Sequence, residues 1–506
     1  MLPTSIAPNH CRVYSHQLRK FMTQPSNYYE SVQSSLSYLK TKFLFKRGEI
    51  EVIESPSEFY DTLKKKITTA KKRVFIASLY LGSSEDELIK CVSDAMKNNK
   101  DLKASFLIDG LRGTRETPAK CSASLLATLV RDYGNRVDTR LYRTPAYVGW
   151  KRLLIPKRYN EGIGLQHMKI YGFDDEVLLS GANLSNDYFT NRQDRYYLFK
   201  RKEFTDYYYS LHKTISALSY KVEYSNNNQK YKMFWPSDNL ANEPIHGRRQ
   251  FLKKSSLVIS EFLNRPRKPN IPIDDLGKYP TTVYPVSQFT PLFNRGYDES
   301  TERPAVLKLI NSMCSPLNEW FFTAGYFNML PDIKKALFSC RAKAGTVITA
   351  SPYANGFFES KGMSGSIPDA YLYLSKKFLK DVRKSGKSDT ITLREWQRGV
   401  VNKPNGWSYH AKGIWITDST DDSDKGYPVG TIIGSSNYTR RAYSLDLESN
   451  AIIVTKDDQL RENMQHELDN ILKYTKPVNL EDFSNEAHRQ VNTKVKVATA
   501  MLGKRL

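Results

Sequence analysis

Two short stretches of this chain carry the side chains that reactive chemistry needs. In LQHMKIYGFDDEVLLSGANLSND (165–187), His167 and Lys169 stand two apart, Asp174 follows, and Asn183 closes a second apolar run. In YHAKGIWITD (409–418) and IIGSSNYTRR (432–441) the arrangement returns as His410, Lys412, Ser435 and Asn437. On an extended segment, residues two apart share a face. Each imidazole therefore points the same way as its ammonium, with Met168 or Ala411 behind it. Imidazole serves as a nucleophile or a general acid/base near neutral pH. The ammonium groups, with the Asn183 and Asn437 amides, can hold and neutralise phosphate oxygens. Two such sets in one cleft suit a two-step displacement at a phosphodiester without a metal ion. One histidine attacks phosphorus; the other protonates the leaving group and then activates the acceptor. A lone His-x-Lys is usually an accident of a strand edge, and the chain has eight histidines. Only these two precede a small-residue turn ending in Asn and, 11 residues later, a carboxylate. Those carboxylates, Asp194 and Glu448, are expected each to orient a histidine by fixing its tautomer.

The spacing points to duplication. His167 to His410 and Lys169 to Lys412 are offset by 243, whereas Asn183 to Asn437 and Asp194 to Glu448 are offset by 254. The 11-residue difference falls in DSTDDSDKGYPVG, a polar, turn-rich stretch that reads as a loop insertion. Around the motifs, strands alternate with helices. RVFIASLYL (73–81), LKASFLID (102–109) and VDTRLYRT read as strands, with helices over about 84–98 and 117–133. NEWFFTAGYF, GTVITASP and TITLREW repeat the order, interleaved with the helices PDIKKALFS and AYLYLSKKFLKDVRK. This predicts an α/β fold of two sandwich halves, related by a pseudo-twofold axis and sharing one active site. The expected division is a presequence and flexible segment over 1–45, a first half over 46–222, a connector over 223–300 and a second half over 301–506. The connector is expected to be irregular apart from one helix at RRQFLKKSSLVISEFLN.

Bulk composition narrows the partners. The 506 residues exceed one compact core. Lys and Arg outnumber Asp and Glu by 76 to 53, a net +23, which favours a polyanionic partner, either nucleic acid or an anionic membrane surface. No apolar run approaches the ~18 residues of a bilayer span, so membrane association would be peripheral. Cys11, Cys91, Cys121, Cys314 and Cys340 are odd in number and scattered, which argues against a disulfide framework or a zinc site and for a reducing compartment. Before the first acidic residue, Glu30, lie Arg12, Arg19 and Lys20 among hydroxyl residues, in the manner of a mitochondrial presequence.

HMKIYGFD matches the His-x-Lys-x4-Asp motif of the phospholipase D superfamily, and GANLSN and GSSNYTRR match its companion segments. Longer stretches resemble one family within it, the eukaryotic, fungal-like mitochondrial phosphatidylglycerophosphate synthases. They include IESPSEFYDTLKKKI, FIASLYLGSSEDEL, FLIDGLRGTRE, GLQHMKIYGFDDEVLLSGANLSNDYFTNRQDRYYLF and LREWQRGVVNKPNGWSYHAKGIW, and the similarity runs from about residue 48 onward. The resemblance implies transfer of a phosphatidyl group from CDP-diacylglycerol to sn-glycerol 3-phosphate, with release of CMP, as the committed step toward cardiolipin. It implies no cofactor, no metal and no nucleic-acid partner, and a peripheral site on the mitochondrial inner membrane. It makes His167 the nucleophile, forming a phosphatidyl-histidine, and His410 the acid/base. Asp174 completes the first motif in a supporting role. The second motif departs from the pattern, with Thr417 where Asp belongs and Asp418 one residue later. A one-residue slip is expected to turn that carboxylate to the opposite face.

Other residues invite weaker readings. In YVGWKRLLIPKRY, Trp150, Leu153 and Leu154 are bracketed by Lys151, Arg152, Lys157 and Arg158. That pattern suits an interfacial membrane anchor, against an ordinary strand with exposed cations. Arg112 and Arg115 follow a strand end, where α/β folds place ligand contacts, and either grip a substrate phosphate or sit on the surface. Ser435 is placed with the substrate-binding Asn residues. Trp407 and Tyr409 line an acyl or cytidine pocket or simply pack. LGSSEDEL lacks the spacing of a phosphate-binding P-loop, so ATP use is not inferred. The competing functions are a nucleic-acid phosphodiesterase of the tyrosyl-DNA phosphodiesterase type, another lipid transferase of the superfamily, and a membrane-binding scaffold with a degenerate site.

Overall fold

The computed structural model describes residues 28–116, 120–267, 271–419, 426–486 and 489–503. The presequence reading, resting on Arg12, Arg19 and Lys20, lies outside them. Up to the connector the strands are β1 (Phe43–Phe45), β2 (Ile50–Ile53), β3 (Arg73–Ser78), β4 (Lys103–Asp109), β5 (Val137–Tyr142), β6 (Ile170–Phe173), β7 (Glu176–Ser180), β8 (Arg192–Gln193), β9 (Tyr196–Phe199), β10 (Tyr220–Tyr224) and β11 (Tyr231–Phe234). After them come β12 (Thr281–Gln288), β13 (Asn318–Ala324), β14 (Ala344–Ala350), β15 (Ile391–Trp396), β16 (Ser408–Tyr409), β17 (Lys412–Asp418), β18 (Pro428–Gly434), β19 (Glu448–Thr455) and β20 (Thr475–Val478).

Two nine-stranded sheets result, ordered β11-β10-β5-β4-β3-β6-β7-β9-β2 and β1-β12-β19-β18-β17-β13-β14-β15-β20. Read in opposite directions, eight positions correspond. In each sheet three parallel strands, β3-β4-β5 or β13-β14-β15, continue into an antiparallel run that begins with the strand following a His-x-Lys. The parallel strands are nearly continuous apolar sequence because helices cover one face and the other half covers the other. Helices Pro56–Thr69, Asp86–Asn98 and Ser122–Tyr133 line the outer face of the first sheet, and Glu302–Asn311, Pro331–Ser339 and Ile367–Lys384 that of the second. The first of these starts where Ser55 and Glu58 cap each other's backbone N–H groups, with Pro56 preset for the first turn. The inner faces share one core, in which Met168, Ile170 and Val177 meet Ala411, Trp415 and Ile433.

Three expectations change. Residues 28–45 are not a flexible leader. Helix Tyr28–Ser35 packs Tyr28 and Val32 into the second half, Tyr28 donates its backbone N–H to Asp418 at 2.9 Å, and β1 pairs with β12. The connector is not irregular either. β10 and β11 form a hairpin, and β12 lies beside β19 as the counterpart of β2 beside β9, so the second half begins by Thr281. Asp418 also keeps a supporting contact that the slip appeared to forfeit. Asp418 stands directly opposite Asn318 in the regular β17–β13 ladder, and its carboxylate accepts from the Asn318 side-chain amide at 2.9 Å, where β13 starts.

One buried cluster ties the halves together. Arg195, in the first half, donates to both Glu467 oxygens (2.8 and 2.9 Å), to the Ile432 carbonyl (2.7 Å) and to the Thr431 hydroxyl (2.9 Å), with its guanidinium 3.8 Å above the Trp415 ring. Tyr197 and Trp415 also donate to Glu467. Removing one member leaves a buried charge unpaired, which costs about 3–5 kcal/mol. Glu467→Ala is therefore expected to lower unfolding stability by that amount in urea titrations; a loss below about 1 kcal/mol would show that the cluster does not hold the halves.

Candidate active site

Neither histidine lies inside a strand. Each sits on a short extended segment just before one, and each segment is bridged to the opposite half. Gln166 forms a β-bridge with Leu447, and the His167 N–H donates to the Leu447 carbonyl at 2.9 Å. The next residue along the partner is Glu448, whose carboxylate accepts from His167 Nδ1 at 3.0 and 3.1 Å. The second set mirrors the first. β16 runs parallel to β8, and the His410 N–H donates to the Gln193 carbonyl at 2.9 Å. The following residue, Asp194, accepts from His410 Nδ1 at 2.6 Å. Both carboxylates orient a histidine, but each serves the histidine of the other half. Each Nε2 is thereby left as the outward, reactive nitrogen.

The lysines close the set. Lys169 Nζ donates to the His167 carbonyl (2.6 Å), and Lys412 Nζ to the His410 carbonyl (2.7 Å), while also standing 3.5 Å from Asp194. Burial governs their protonation. Desolvation lowers both imidazole pKa values against the pull of Glu448 and Asp194, so the resting rings are neutral. Burial also pushes Lys169 down to about 7, with nearby Lys412 adding to the shift, and it lowers Lys412. For Asp194 the upward push of burial is outweighed by Lys412 and His410, and for Glu448 by His167, Lys169 and Ser435; both carboxylates are held below their usual range.

The halves differ in one small residue. At Gly181 an added Cβ would lie 2.4 Å from Lys412 Nζ and 2.5 Å from Asp194 Oδ1. The duplicated position is Ser435, whose hydroxyl donates to Glu448. The room left by Gly181 is what lets Lys412 approach Asp194. Ser435, grouped with the substrate-binding residues on sequence, is fully buried behind Glu448 and bonds to it. Asn183 gives its side-chain amide to the Tyr188 hydroxyl at 3.0 Å, and among the described residues the side-chain Oδ1 atoms of Asn183 and Asn437 have no hydrogen-bond partner. Unsatisfied buried acceptors are costly, so both suit a ligand with donors to offer.

Asp174 is elsewhere. It occupies a turn at φ 49° and accepts from the backbone N–H groups of Lys71 (2.7 Å), Lys72 (2.7 Å) and Arg73 (3.0 Å), fixing the start of β3. It is a backbone clamp and no part of the catalytic set. Arg112 pairs with Glu116 and lies 3.9 Å over the Tyr80 ring, and Arg115 pairs with Glu161 at 2.7 Å. Tyr409 packs, stacking on Trp396 and bonding Thr323 through its hydroxyl, and Trp407 lies under Arg398. Trp150, Leu153 and Leu154 form a short helix, Trp150–Leu154, rather than a strand, and are 64%, 84% and 72% exposed.

Sequence reasoning missed two residues that touch His410. The Tyr188 hydroxyl lies 3.3 Å from His410 Nε2, and the Tyr188 and Tyr326 rings meet the imidazole edge-on at centroid distances of 5.1 and 5.4 Å. The available signal was NDYFT, an aromatic one short helical turn beyond Asn183.

No family model matches the chain. Over 498 residues, 98% of this chain and 95% of the relative, it is 57% identical to the CDP-diacylglycerol–glycerol-3-phosphate 3-phosphatidyltransferase of Saccharomyces pastorianus. It is 32% identical over 492 residues to the mouse protein of that name, described as mitochondrial, covering 92% and 84% of the two chains. The crystal structure of phosphatidylserine synthase from Haemophilus influenzae superimposes with a TM-score of 0.66 at 19% identity, over 94% of this chain and 98% of that one, and shows the same fold. With relatives this similar along nearly their whole length, the chain belongs to the CDP-diacylglycerol–glycerol-3-phosphate 3-phosphatidyltransferase family.

Proposed function

We propose that the chain transfers a phosphatidyl group from CDP-diacylglycerol to sn-glycerol 3-phosphate, making phosphatidylglycerophosphate and CMP through a phosphatidyl-histidine on His167. The observation that carries this reading is the crossed pairing of each imidazole with the opposite half's carboxylate, beside two buried lysines. A degenerate scaffold would have no need to keep it. The nucleic-acid alternative rested on charge and on the missing second-motif Asp; relatives at 57% identity that carry the lipid-transferase name remove its basis.

In the first step His167 Nε2 attacks the phosphatidyl phosphorus. The P–N bond forms as the bond to the CMP oxygen breaks, and Lys169 and Lys412 neutralise the equatorial oxygens. CMP leaves as a phosphate, a good leaving group that needs little proton assistance. That suits a neutral His410, which in the second step takes the proton of the acceptor hydroxyl as its oxygen attacks phosphorus and releases His167. The proton passes from His410 to solvent, and the resting state is restored.

The lipid substrate requires a bilayer, and among the described residues no helix is long and apolar enough to cross one. The exposed Trp150, Leu153 and Leu154, with Arg152 and Lys157 beside them, present an apolar tip in a basic fringe on the segment leading to His167. We assign this tip to an anionic membrane surface. The mitochondrial designation of the animal relatives supports placing the chain in mitochondria; a peripheral position on the inner membrane, acting toward cardiolipin, completes the proposal.

Three outcomes test these assignments. CMP release should depend on glycerol 3-phosphate and fall about 10³-fold or more in His167→Ala and in His410→Ala; serine or water serving equally well as acceptor would reject the synthase reading. Because Lys169 loses its proton as pH rises through about 7, kcat/KM should decline above that pH. The decline in kcat should come later, since bound phosphate holds the proton, and Lys169→Arg should abolish the alkaline limb. A limb unchanged in Lys169→Arg assigns it to another group. Finally, Trp150→Ser/Leu154→Ser should weaken pelleting with anionic vesicles about ten-fold, from the apolar area withdrawn; undiminished binding by the folded variant removes the tip as the anchor.

A further inference from the structure

Beside His410 lies a cation that the two-histidine scheme does not use. Arg192 packs its guanidinium 4.5 Å above the Tyr188 ring, whose hydroxyl is 3.3 Å from His410 Nε2. Arg192 Nε donates to the Ser408 hydroxyl at 2.8 Å, two residues before His410. A Cβ placed on Gly356 would lie 3.3 Å from Arg192 Nη2 and 3.5 Å from the Tyr326 hydroxyl, so that glycine keeps a slot open in front of both groups. Other arginines near the cleft are committed to buried partners: Arg195 to Glu467, and Arg441 to Asp446 and the Glu161 carbonyl. Among the described residues Arg192 has only Asp187 as ion-pair partner, at 3.0 Å, and that carboxylate is 59% exposed while the arginine side chain is 13% exposed. A pair to a solvated carboxylate is worth little, and a phosphate displaces it readily.

The acceptor needs such a group. Lys169 and Lys412 are taken by the phosphodiester being transferred, yet glycerol 3-phosphate brings a second phosphate in addition to its reacting hydroxyl. We propose that Arg192, with the Tyr326 hydroxyl, binds the phosphomonoester of the acceptor and so delivers the acceptor hydroxyl to His410 Nε2, in the place held at rest by the Tyr188 hydroxyl. The guanidinium's planar fork matches a phosphate with two parallel hydrogen bonds. The positive charge of Arg192 also contributes to the lowered pKa of His410, in keeping with its position beside the ring. This subsite rests on the phosphatidyltransferase reading and adds to it the basis of acceptor choice.

The test compares glycerol 3-phosphate with glycerol as acceptors for CMP release from CDP-diacylglycerol in mixed micelles. Arg192→Met should raise the KM for glycerol 3-phosphate at least ten-fold more than that for CDP-diacylglycerol, and cut the preference for glycerol 3-phosphate over glycerol by a similar factor. Arg192→Lys keeps the charge and the aliphatic packing and loses the fork, so it should fall between. Parallel rises in both KM values, or a preference for the phosphorylated acceptor that survives in both variants, overturns the subsite while leaving the synthase reading standing. A wild-type protein without glycerol 3-phosphate-dependent CMP release overturns the synthase reading itself, and the subsite with it.

Discussion

Each reactive imidazole takes its orientation from a carboxylate that belongs to the other half of the molecule, and most of the architecture follows from that exchange. A hydrogen bond of 2.6 or 3.0 Å across an interface survives only if the two bodies are registered to a few tenths of an ångström. The two inter-half bridges, Gln166 to Leu447 and Tyr409 to Gln193, supply that register beside the reacting groups. The Arg195–Glu467 cluster and the shared aromatic core supply it at a distance. Neither half could be catalytically competent alone, since it would present a histidine without its tautomer-fixing partner. Duplication here yields one site assembled twice over the same axis.

The symmetry is broken where the two chemical steps differ. His410 is enclosed by Tyr188 and Tyr326 and lies near Arg192, whereas among the described residues no aromatic ring packs against His167. That difference fits the proposed division of roles: a nucleophile needs an open approach to phosphorus, and a group that activates an incoming hydroxyl benefits from walls that choose which hydroxyl comes. The exchange of Ser435 for Gly181 has a parallel effect on charge. Glu448 is satisfied by a neutral hydroxyl, while Asp194 has a lysine within 3.5 Å. The surroundings of the two imidazoles thus differ although their backbones are alike.

Much of this was legible in one dimension. Constant offsets of 243 and 254, separated by a polar loop, identified the duplicated unit, both His/Lys pairs and both orienting carboxylates. The exchange of carboxylates between halves was not legible, because spacing along a chain sets positions within a repeat and says nothing of which repeat faces which. β12 was hidden for a different reason. TTVYPVSQ contains Pro285, which argues against a paired strand, yet β1 begins at Phe43 opposite Val283, so the proline lies beyond the residues paired on that side. The motif suggested a supporting place for Asp174 but not what it supports: the turn after β6 carries it to the start of β3, where it holds backbone N–H groups. Tyr188 and Arg192 escaped notice because their relevance depends on a histidine more than 200 residues away.

The surplus of positive charge finds its place last. Within the site the cations are nearly matched: Lys169 and Lys412 face Glu448 and Asp194, Arg195 faces Glu467, Arg441 faces Asp446, and Arg192 leans on Asp187. Most of the net +23 therefore lies outside the site. Matched charges act over a few ångströms and prepare the cleft for a phosphodiester. An unmatched surface excess acts over a Debye length, ~8 Å at physiological salt, and draws the molecule toward any extended anionic layer. On the proposed reading the substrate is a lipid and that layer is a membrane, toward which the exposed Trp150–Leu154 helix, the apolar element on the segment that leads into His167, would turn the molecule. Long-range charge and short-range chemistry are thus kept on separate residues, so the surface can bind phosphates without competing for those at the catalytic centre.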